Sequence, residues 1–80
     1  MTQLIKNYTN SCFMVKQRIS ELTAMRNGLM ERGDELKVRE LDLERRIHLL
    51  YVECEELQEI ITHLTAYKRR REGIVKTQLL

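Results

Sequence analysis

LKVRELDLERRIHLLYVECEELQEIITHL, residues Leu36 to Leu64, is the stretch whose reading decides the fold. Within it Leu36, Glu40, Leu43, Ile47, Leu50, Cys54, Leu57, Ile61 and Leu64 recur at alternating spacings of four and three. Eight of these nine positions are apolar, and Glu40 is the exception. Such a stripe lies on one face of a helix and stays wet unless another helix covers it. The chain carries a cover of its own. Ile5, Tyr8, Cys12, Val15, Ile19, Leu22, Arg26 and Leu29 repeat at the same spacings, broken once, by Arg26. The pattern predicts an all-α fold, an antiparallel two-helix coiled-coil hairpin.

Two turn signals lie between the stripes, Asn27-Gly28 and Arg32-Gly33-Asp34. Register chooses the second. With the turn centred on Gly33, Leu29 faces Leu36, Leu22 faces Leu43, Ile19 faces Ile47 and Val15 faces Leu50. Cys12 then faces Cys54, and the two charged interruptions, Arg26 and Glu40, face each other. A turn at Gly28 would leave Leu29 and Met30 in a loop. The predicted organisation is a single domain over 1–80: helix 1 about 3–31, turn 32–34, helix 2 about 35–72 and a tail 73–80. Gly33 supplies the left-handed residue that ends helix 1, Asp34 the cap of helix 2, and Gly73 the expected stop of helix 2. Two chains exchanging helices would preserve the same facing pairs, so the pattern leaves closed and domain-swapped hairpins open.

Eighty residues allow one small domain. Hydrophobic residues at 42%, charged residues at 32% and the absence of proline fit a helical bundle rather than a disordered chain. No apolar run approaches the ~18 residues of a membrane span, and no secretory leader pattern is present. The expected location is therefore cytoplasmic, with no membrane partner. Two cysteines are too few for a disulfide scaffold, and their separation fits no common zinc spacing. No cofactor or metal site is expected. Nor does the chain carry a glycine-rich phosphate loop or a nucleophile with its base, so no catalytic residues are assigned and the protein is read as a non-enzyme.

Four features remain as candidates for function. Arg26 and Glu40 are read as a polar layer that fixes register, since any slip would set a charge against an apolar layer. Cys12 and Cys54 are read as core residues in one layer, with reduced thiols. Val38, Leu41, Leu49 and Val52 form a second apolar strip on the outer side of helix 2, an assembly surface at helical spacing. Two hairpins packed as a four-helix bundle would cover it, so a homo-oligomer is expected, a dimer before anything larger. Lys68, Arg69, Arg70 and Arg71 make a basic end that suits either the C-terminal helix dipole or an acidic or phosphate partner. An acidic block, Glu53, Glu55, Glu56 and Glu59, precedes it.

The stretch Glu40–Tyr67, about a third of the chain, resembles small uncharacterised coiled-coil proteins of Gram-positive gut bacteria and their phages or mobile elements. That resemblance carries over no functional residues. In architecture alone the chain looks like the plasmid copy-control hairpin that dimerises into a four-helix bundle and binds RNA. The apolar surface left after one seam is closed points to a self-associating interaction or regulatory module, and two alternatives stand beside it. One is a nucleic-acid-binding dimer using its basic helix ends; the other is a small inhibitor of a host protein.

Overall fold

A computed structural model describes residues 2–79, with side chains from residue 2 to residue 72. The described residues form three helices and no strand: α1 (Thr2–Glu31), α2 (Glu35–Glu40) and α3 (Leu43–Leu79). The fold is all-α. α1 lies along α3, and the short α2 touches both.

The turn after α1 follows from its residues. Gly33 sits at φ +74°, in the left-handed region where a β-carbon is costly. There the Gly33 N–H donates to the Met30 carbonyl at 3.0 Å, and the Asp34 N–H donates to the Leu29 carbonyl at 2.8 Å. These paired bonds satisfy carbonyls that the helix end would otherwise leave open. Asp34 then caps α2, its carboxylate accepting from the Lys37 N–H at 3.3 Å. Gly28 is an ordinary interior residue of α1, with nothing within 4 Å of the place a β-carbon would occupy.

The expected single helix over 35–72 is instead two helices, parted at Leu41 and Asp42. Asp42 takes φ +53°, and its N–H donates to the Arg39 carbonyl at 3.0 Å, tightening the last turn of α2. Aspartate tolerates this conformation better than most residues. The consequence is a change of phase. Leu36, expected in the seam, is 67% exposed, whereas Val38 is buried at 5% and Leu41 packs against the same core. Val38 and Leu41 are thus core residues and not members of an outer strip.

From Leu43 onward the expected seam is recovered. Two clusters form the core, one joining Leu22 and Leu29 to Val38, Leu43 and Ile47, the other joining Cys12 and Ile19 to Cys54. Leu50 touches both clusters, and Leu57 and Ile61 pack against the second. Higher-numbered residues of α1 therefore meet lower-numbered residues of α2 and α3. At the far end, the helix does not stop at Gly73 but continues to Leu79, so the expected tail is helical through that residue. An interior glycine costs about 1 kcal/mol, too little to end a helix that no proline follows. No helix of the described residues is long and apolar enough to cross a membrane.

Candidate functional site

Three places bring chemistry-bearing or sticky residues together: the outer face of the helix pair, the basic end of α3 and the cysteine layer. The outer face is the most extensive. Of the expected strip residues, Leu49 is 54% exposed and Val52 38%. Ile60 and Tyr67 extend the exposed apolar residues along α3, and Leu4, Met14 and Met25 add exposed apolar surface on α1. Ile60 was not among the expected strip residues, although its helical spacing from Val52 and Tyr67 was there to read; Glu56 and His63 interleave the line and hide it. Beside Leu49 runs a shallow groove of about 250 Å³, floored by Leu22 and Leu50 and edged by Arg18, Arg46 and Glu53. Its walls mix both charge signs around apolar side chains.

The basic end is partly occupied by its own neighbours. Lys68 lies 3.9 Å from the Glu72 carboxylate. Arg71 donates to the Tyr67 hydroxyl at 3.2 Å, and its guanidinium stands 5.7 Å from the centre of the same ring. Arg69 and Arg70 are exposed, with no ion pair among the described residues. The four cations are therefore not one uniform patch. Two are oriented by side chains of their own helix, and two point outward.

The charged layer differs from expectation. Arg26 Nη1 meets the Glu44 carboxylate at 3.3 Å and not Glu40, which is exposed. The break at Leu41–Asp42 explains the exchange, because Glu40 belongs to α2 and no longer shares the phase of α3. Glu44 is 68% exposed as a side chain, so the pair is worth roughly 0–1 kcal/mol.

The cysteine layer is as expected in place. The Cys12 and Cys54 sulfurs stand 3.8 Å apart, one thiol donating to the other, and both residues are buried and free. Burial pushes the Cys54 thiol above the ordinary range, and its hydrogen bond to Cys12 adds to the effect. Among the described residues no group of three or more histidine, cysteine, aspartate or glutamate side chains could hold a metal ion. His48 and His63 are exposed on α3. Comparison with family models, with curated proteins and with solved structures finds no match to the chain.

Proposed function

We propose that this chain is an antiparallel coiled-coil hairpin that pairs with a second copy to form a four-helix bundle, and that it works as a non-enzymatic interaction module. The observation that carries this reading is an imbalance of apolar residues. Eight hydrophobic residues are buried, whereas eleven large ones are exposed among the described residues. A body only 16 × 14 Å across has a single seam between two long helices and no room to hide the rest.

A second copy suits the outer face better than an unrelated partner because the face is self-complementary. Glu53, Glu56 and Glu59 precede Lys68 to Arg71 on one helix. Two copies of α3 laid antiparallel about a two-fold axis would bring each acidic block to the other's basic end. The apolar residues between the blocks, Ile60 among them, would meet near the axis. The dimer would then display two copies of any remaining surface, which is how a small module gains avidity for a repeated or symmetric target.

Sedimentation equilibrium tests the reading. The expected mass is that of two chains at micromolar concentration, falling to one chain for Leu49→Glu combined with Ile60→Glu. A single-chain mass for the unaltered protein across the accessible concentration range would overturn it. A second reading, nucleic-acid binding, draws on the outward Arg69 and Arg70. It predicts binding to duplex or RNA that weakens steeply with salt and disappears when all four basic residues become glutamine. Absence of binding by the unaltered chain removes it.

A further inference from the structure

Among the described residues, two thiols touch in the cysteine layer. Cys12 and Cys54 lie 42 residues apart in the chain, yet their sulfurs are in contact at 3.8 Å. We propose that they form a dithiol oxidised by hydrogen peroxide, whose disulfide fastens α1 to α3 at mid-length. The inference does not depend on self-association, since both sulfurs belong to one chain.

Geometry is the first support. A disulfide bond is ~2.05 Å long, so sulfurs at 3.8 Å must close by somewhat less than 2 Å. Access is the second. Cys54 lines a surface depression of about 410 Å³ shared with Lys16, Tyr51 and Gln58, ample for a molecule as small as peroxide. Charge at the site is mixed: Lys16 favours the Cys54 thiolate, whereas burial, the strongest influence, disfavours it together with Cys12 and Glu55. Access decides the order: Cys54 and not Cys12 lines the depression, so Cys54 is the sulfur that meets the oxidant and Cys12 the one that resolves.

The chemistry balances. Cys54 loses its proton to solvent and its thiolate attacks one peroxide oxygen. The O–O bond breaks, hydroxide leaves and takes up a proton as water, and Cys54 becomes a sulfenic acid. As Cys12 releases its proton, its sulfur attacks the Cys54 sulfur, the S–O bond breaks, and the departing hydroxide takes up a proton to give a second water. Two thiols and one peroxide yield one disulfide and two waters; the sulfur pair gives up two electrons and the peroxide accepts them. Because burial holds Cys54 protonated, oxidation is slow at neutral pH and accelerates as pH rises toward and through its elevated titration. Contact with Cys12 intercepts the sulfenic acid before further oxidation.

The test uses the reduced full chain and hydrogen peroxide, read by free-thiol assay and intact mass under denaturing, non-reducing conditions. The expected product has lost both thiols and about 2 Da, runs as a single chain, returns to the dithiol with reductant and melts at a higher temperature than the reduced form. With dimedone present, Cys12→Ser is expected to trap the sulfenic acid on Cys54 faster than Cys54→Ser traps it on Cys12. Disulfide-linked dimers as the main product would overturn the proposal. So would sulfinic acid without the two-hydrogen loss, or thiols that stay inert in the folded chain while the urea-unfolded chain reacts. Faster trapping on Cys12 would overturn the assigned order of attack.

Discussion

The half of the core beside the turn and the half beyond Cys12 are built from the same kinds of residue and end up differently. Near the turn, Leu22 is 2% exposed and Leu43 0%. Beyond Cys12, the seam residues Ile5, Tyr8, Leu57, Ile61 and Leu64 are only half-buried. The difference is α2. Six residues long, it touches both long helices and lays Val38 into the seam beside Leu22 and Leu29. Three elements enclose a core around Leu22 and Leu43, whereas beyond Cys12 the two helices alone leave the seam residues a wet side.

Truncation in the two halves tests this contrast with the largest effect. Leu43→Ala should cost about 2–5 kcal/mol of unfolding free energy, the range for a fully buried leucine. Leu57→Ala should cost markedly less, of order 1 kcal/mol, in the same urea titration at concentrations where the chain is monomeric. Equal losses would show that the two halves are equally closed. A smaller effect separates the two central glycines. Gly33→Ala should destabilise by about 1 kcal/mol because it forces a β-carbon into the left-handed region. Gly28→Ala should stabilise by up to about 1 kcal/mol, since the position is helical and the space is open. The smallest effect concerns the charged layer. A double-mutant cycle should find no more than ~1 kcal/mol of coupling between Arg26 and Glu44, and none between Arg26 and Glu40.

The same contrast shows where the sequence could be read and where it could not. The Gly33 turn was legible because glycine followed by a capping aspartate has a local physical meaning, and because Cys12 and Cys54 fall at matching distances from it. The seam from Leu43 to Leu64 was legible because nothing interrupts its period. The break at Asp42 was not, since no glycine or proline announces it and the three-and-four spacing runs on through it. Its trace was Glu40, the one polar member of the stripe. Read as half of a polar layer facing Arg26, it stands at the end of α2, where the stripe changes helix. Val38 carried the other clue, a β-branched apolar residue two places from Leu36, which the continuous heptad left on the outside. The outer face was legible only in part. Leu49 and Val52 stand out, but Ile60 is masked by the glutamates and histidine around it.

Everything proposed for the outer face and for the cysteine pair rests on α1 lying along the α3 of its own chain. Spin labels placed at the exposed positions Phe13 and Glu53, beside Cys12 and Cys54, measure this directly. The account predicts a separation of no more than about 25 Å, the span of two adjacent helices with their labels, unchanged when labelled chains are diluted into a large excess of unlabelled ones. A single continuous helix would place the labels about 60 Å apart at 1.5 Å per residue. That distance, or a short one that vanishes on dilution, would contradict it.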